Sequence, residues 1–182
     1  MRLRAIRVKD PDDMGHDELH WDQAQDGAEL IAEGDPEAAV PILEALAREV
    51  PRNPYAFFFL GAAHYELERY DKALKAYLTA IELAPDYLGA LIGAGHCLRM
   101  VGRHAQALGM GKEVLRRQAD DPEALYLLGA THFARGDTRA AAEYLERFLG
   151  TNPEPEVAIE AQGMLQVLAG DIVDATPVED PD

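Results

Sequence analysis

Between Pro54 and Leu67 the apolar residues fall on two stripes of a helix rather than one. At 100° per residue, Phe57, Leu60, Gly61 and His64 share one face, and Tyr55, Phe58, Ala62 and Tyr65 share another. Helical spacing along the rest of the chain predicts nine helices, near 20–33, 36–50, 54–67, 70–83, 88–101, 104–118, 122–135, 138–150 and 156–169. The punctuation agrees with these bounds. Gly34, Gly102 and Gly136 stand where a left-handed cap would end a helix, and Asp35-Pro36 and Asp137 open the helices that follow. Pro85 and Pro153 close helices because proline cannot extend the hydrogen-bond ladder.

Two places weaken the pattern. Pro41 lies inside the helix that starts at Pro36, where its ring opposes the Glu37 carbonyl and should kink it. Gly109 and Gly111 lie inside the helix at 104–118 and together cost about 2 kcal/mol against alanine. They are either tolerated imperfections or the mark of a flexible segment.

An internal period organises all of this. Gly27, Gly61, Gly95, Gly129 and Gly163 follow one another at intervals of 34 residues. Ala39, Ala73, Ala107 and Ala141 keep the same interval, as do Pro51, Pro85 and Pro153, with Ala119 replacing the missing proline. Gly34, Gly102, Gly136 and Gly170 form a further column, broken only by Glu68. The small residues of the first two columns let paired helices approach closely, ridge into groove.

These columns carry a resemblance. The segment from Asn53 to Asp86, NPYAFFFLGAAHYELERYDKALKAYLTAIELAPD, resembles a tetratricopeptide repeat: Leu60-Gly61, Tyr65, Tyr70, Ala73, Tyr77, Ala80 and Pro85 match its pattern. Asp26 and Ala94 depart from it before their glycines, and Gly111 stands where a large core residue is usual. The resemblance implies an all-α, right-handed superhelical solenoid of antiparallel helix pairs. Its repeats would be 20–53, 54–87, 88–121 and 122–155, with a capping helix at 156–169. Residues 1–19 read as an N-terminal arm and 171–182 as an acidic disordered tail.

Composition narrows the function classes. The formal net charge is −16, from 33 acidic and 17 basic residues, which disfavours nucleic acid and anionic membrane as partners. The charge either keeps the protein soluble or attracts a basic partner. No run of about 18 apolar residues exists to span a membrane, and no secretory signal follows the basic start, so a cytoplasmic location is expected. The single cysteine, Cys97, lies on an apolar stripe and reads as a packed thiol.

No catalytic constellation or phosphate-binding loop appears, and no cofactor is expected. His16 and His20 have ligand spacing but lack a convincing third ligand, so no metal is expected. His64 and His132 share a repeat position and read as packed, hydrogen-bonded histidines.

In tetratricopeptide proteins the second stripe of the first helix lines a concave groove that holds a protein or peptide ligand. The resemblance therefore implies a partner-binding groove of Tyr55, Phe58, Tyr65, Ile92, His96, Arg99, Tyr126 and Phe133. Trp21, Ala24, Ala28 and Ile31 occupy the matching positions of the first repeat. Such an inventory, aromatic and with Arg99 as its main cation, suits an apolar peptide segment or an amphipathic helix better than a terminal carboxylate. The arm at 1–19 and a second copy of the chain, giving a homo-oligomer, are alternative occupants. Within the family the chain resembles either a scaffold subunit or the small acidic chaperones of type III secretion.

Overall fold

The computed structural model describes residues 18–174, all of them in helices and short connections with no strand. The helices are α1 (Glu18–Ala32), α2 (Pro36–Glu49), α3 (Pro54–Glu66), α4 (Tyr70–Leu83), α5 (Leu88–Met100), α6 (His104–Arg117), α7 (Pro122–Arg135), α8 (Thr138–Gly150) and α9 (Pro155–Asp174). The helices fall within a residue or two of the bounds read from the sequence, except at α9. That helix passes through Gly170 and reaches Asp174, so the tail expected from 171 does not begin there. Residues 1–17, most of the expected arm, and 175–182 lie outside the described residues.

The local chemistry explains the boundaries. Asp35 accepts from Ala38 N at 3.1 Å, and Asp121 from Ala124 N at 2.9 Å, each capping a helix whose first residue is proline. Asn53 does the same for α3, accepting from Tyr55 N and Ala56 N at 3.0 and 3.2 Å. Its amide also donates to the His20 carbonyl at 2.8 Å, so one fully buried side chain both caps α3 and ties it to α1.

The left-handed column is a repeated helix stop. Gly34, Gly102 and Gly136 have φ of 85°, 76° and 77°, and Glu68 holds the same conformation at φ 56°. The next residue then donates to the carbonyl five positions back: Asp35 to Leu30, Arg69 to His64, Arg103 to Leu98 and Asp137 to His132, all at 2.8–2.9 Å. The backbone geometry thus survives where the glycine does not.

Two compact units divide within α6, one up to Met110 and one from Gly111. In the first, α3 packs on α1, α2, α4 and α5. Its core is an aromatic row: Trp21 meets Tyr55 edge-on at 5.3 Å, Tyr87 lies 4.6 Å from Phe58, and Phe58 lies 5.8 Å from Tyr77. Tyr77 is wholly buried between two glycines, Gly61 of α3 and Gly93 of α5. In the second unit α7 packs on α8 and both pack on α9, around Leu125, Tyr126, Leu145, Phe148, Ala161 and Leu168.

α2 continues unbroken past Pro41. Gly109 and Gly111, which look alike in sequence, differ in kind. A Cβ at Gly111 would lie 2.8 Å from Leu128 Cγ, so this glycine admits a neighbouring side chain. At Gly109 a Cβ would meet nothing within 4 Å.

Candidate functional site

The two stripes of α3 do not divide as expected. Tyr55 and Phe58, read as groove residues, are each 1% exposed and belong to the aromatic core. Phe57 and Leu60, on the other stripe, are only partly buried. The reason is that α3 is apolar on every side and is enclosed by four helices, so neither stripe is left over as a free face. Gly61 does meet the second helix of its pair, through the Tyr77 ring.

The remaining predicted residues lie in two places. In the first unit Tyr65, Ile92 and His96 are buried, while Arg99 reaches solvent in part. Tyr65 lies edge-on to Tyr70 at 5.4 Å and to His96 at 6.4 Å. Burial, opposed by Arg99, pushes the Tyr65 hydroxyl up to about 12. Burial, reinforced by Arg99, holds the His96 imidazole down to about 3, so it is neutral at any ordinary pH. Arg99 is therefore the fixed positive charge of this cluster. Its Nε is buried and has no hydrogen-bond partner, and Arg99 makes no ion pair among the described residues. Tyr70, which sequence reasoning placed in the repeat pattern but not at the site, completes the aromatic wall.

In the second unit Tyr126 is buried against Phe148 at 5.2 Å, and Phe133 stays partly exposed. His132 is hydrogen-bonded through Nδ1 to Asp137 at 2.9 Å and stacks on Tyr144. His64, its counterpart two repeats earlier, corrects the expectation: it is packed, but its Nδ1 has no partner. Arg69 stands where Asp137 stands in the later repeat, and it turns instead to Glu37 at 3.1 Å.

Other candidate chemistry is quiet. Cys97 is a buried free thiol pushed up to about 12 by burial, too basic to serve as a nucleophile near neutral pH. His16 lies outside the described residues, and no group of three or more potential metal ligands occurs among the described ones. No described helix is long and apolar enough to cross a membrane.

Comparison with known proteins agrees with the repeat geometry. Tetratricopeptide-repeat family profiles match residues 27–87 and 98–165, together well over half of the chain. The chain belongs to the tetratricopeptide-repeat family. It is 26% identical to Superkiller complex protein 3 of Mus musculus over 137 residues, covering 71% of this chain but 9% of that protein. It is 38% identical to human Tetratricopeptide repeat protein 28 over 85 residues, 47% of this chain and 3% of that one. Among solved structures, the MamA 41-end chain of Desulfovibrio magneticus RS-1 matches with a TM-score of 0.71 at 22% identity, covering 86% of this chain and 85% of that one. A thermophilic tetratricopeptide-repeat protein of Thermus thermophilus matches at 0.70 and 22% identity, with coverage of 84% and 82%. These likenesses show the tetratricopeptide-repeat fold. Members of the family serve as scaffolds for protein–protein interaction.

Proposed function

We propose that this tetratricopeptide-repeat chain is a non-catalytic, cytoplasmic binding module for an apolar peptide segment or amphipathic helix. The observation that carries the reading is Arg99. A guanidinium that is partly withdrawn from water, with a buried Nε and no partner, loses hydration without compensation, at about 1–3 kcal/mol for the unmet donor. A ligand carboxylate or backbone carbonyl seated against it would remove that penalty and fix the ligand's orientation. Tyr70, partly exposed, supplies an aromatic surface beside it for apolar side chains, backed by the buried Tyr65 and, beyond it, His96. Ile92 and, in the second unit, Tyr126 and Phe133 belong to the same reading, with Phe133 the more available.

The test compares the wild type with Arg99→Gln and Phe133→Ala as baits in quantitative affinity purification, alongside their melting temperatures. We expect both variants to melt within a few degrees of the wild type. Arg99→Gln should lose partner capture about tenfold, the equivalent of one charge-assisted hydrogen bond. Full capture by both variants would refute the reading. Partners that are secreted hydrophobic subunits would select the chaperone role over the scaffold role.

A further inference from the structure

Two histidines share one repeat position, yet only one of them is surrounded by groups that welcome a charge. In α7, His132 is hydrogen-bonded through Nδ1 to the Asp137 carboxylate at 2.9 Å, and its ring stacks on Tyr144 with centroids 5.6 Å apart. Arg135 also pairs with that carboxylate, at 3.1 Å. The His132 hydrogen bond holds the Asp137 carboxyl below its ordinary range. A proton added to the His132 ring would lie between a carboxylate and the negative face of an aromatic, so both contacts would strengthen.

His64, two repeats earlier in α3, lacks both supports. Arg69 stands at the register of Asp137, and Ala76 at that of Tyr144. His64 is 4% exposed, and its Nδ1 has no hydrogen-bond partner. The charged groups that act on it are Lys72 of α4, Arg69 of the turn before α4, and Glu44 and Glu37 of α2. Of the two carboxylates, Glu37 is already engaged by Arg69 at 3.1 Å. An imidazolium donates from both nitrogens, so a proton taken up at His64 would leave a buried donor unmet beside two cations. Burial first, then Lys72 and Arg69, hold the His64 imidazole below its ordinary value of 6.5.

We propose that His64 is an acid-sensitive catch built into the first unit: proton uptake loosens the packing of α3 on α2 and α4, while the Asp137 and Tyr144 contacts of His132 keep α7 packed on α8. The opened segment binds the proton more readily than the packed one. The catch is therefore closed above about pH 7 and gives way as pH falls through about 6.5. Arg99 plays no part in it.

Hydrogen exchange of the full chain, read by peptide-level mass spectrometry at about pH 7.5 and about pH 5.5, tests this. After correction for intrinsic exchange, protection in α3 and α4 should fall in acid, and protection in α7 and α8 should hold. Two variants isolate His64 from every other titrating group. Arg69→Asp supplies a carboxylate at the register of Asp137, and His64→Phe takes up no proton. Each should restore protection in α3 and α4 about twofold or more at the lower pH. The reciprocal Asp137→Arg should confer the acid loss on α7 and α8. A wild-type loss of equal size in both helix pairs would overturn the proposal. So would an acid loss that either first-unit variant leaves unchanged in a protein of unchanged helicity.

Discussion

Gly93 and Gly109 are both mid-helix glycines, yet replacing each by alanine should move stability in opposite directions. Alanine gains about 1 kcal/mol over glycine in a helix interior, from backbone entropy alone. At Gly109 the new Cβ meets nothing within 4 Å, so the whole gain should appear. At Gly93 the Cβ would run into the Tyr77 ring, 2.6 Å from Cε1 and 2.8 Å from Cε2. The ring cannot retreat, because a Cβ on Gly61 would already lie 2.8 Å from its other side and Tyr77 is fully buried. Overpacking a closed site costs about 3 kcal/mol, at the upper end of the usual range, which outweighs the propensity gain and leaves a net loss of about 2 kcal/mol. Thermal or urea unfolding reads both. Gly109→Ala should melt about 2–4 °C above the wild type and Gly93→Ala about 4–8 °C below it. Adding Tyr77→Leu to Gly93→Ala should recover part of the loss, with a coupling above about 1 kcal/mol. If Gly93→Ala stabilises as Gly109→Ala does, Tyr77 is not wedged between two helices and the packing argument fails.

The other predictions rest on single buried or strained groups. Glu68→Gly should stabilise the chain by about 0.5–1 kcal/mol in the same unfolding assay, because Glu68 keeps a left-handed φ of 56° that its repeat partners leave to glycine. Tyr77→Phe should stabilise by about 1 kcal/mol, since the Tyr77 hydroxyl is buried with no hydrogen-bond partner. Tyr77 is held well above its ordinary pKa by burial, and Tyr65 is pushed up to about 12. The unfolded chain therefore releases these protons first, so stability is whole below about pH 10 and falls as pH rises toward 12. Phenylalanine at both positions should flatten that fall in urea melts taken across the alkaline range, and an undiminished slope would refute it.

Much of the molecule was legible in the chain because its signals are local or strictly periodic. Helix starts at Pro36, Pro54 and Pro122 follow from an oxygen-bearing cap before a proline, a rule that acts within one turn. The 34-residue spacing of glycine and alanine placed the close helix contacts, and the buried alanines with Leu43, Tyr77 and Leu145 against their glycines bear that out. Periodicity failed where two answers share one pattern. Both stripes of α3 are apolar, so nothing local distinguishes core from groove. Trp21 of α1 and Tyr87 ahead of α5 decide it by covering Tyr55 and Phe58. His64 and His132 look identical until position 69 brings an arginine where position 137 brings a carboxylate. Gly163 reads like every other member of its column. Only the tertiary structure shows that a Cβ there would stand in open space, because what faces a residue is set by atoms distant in sequence and not by the residue itself.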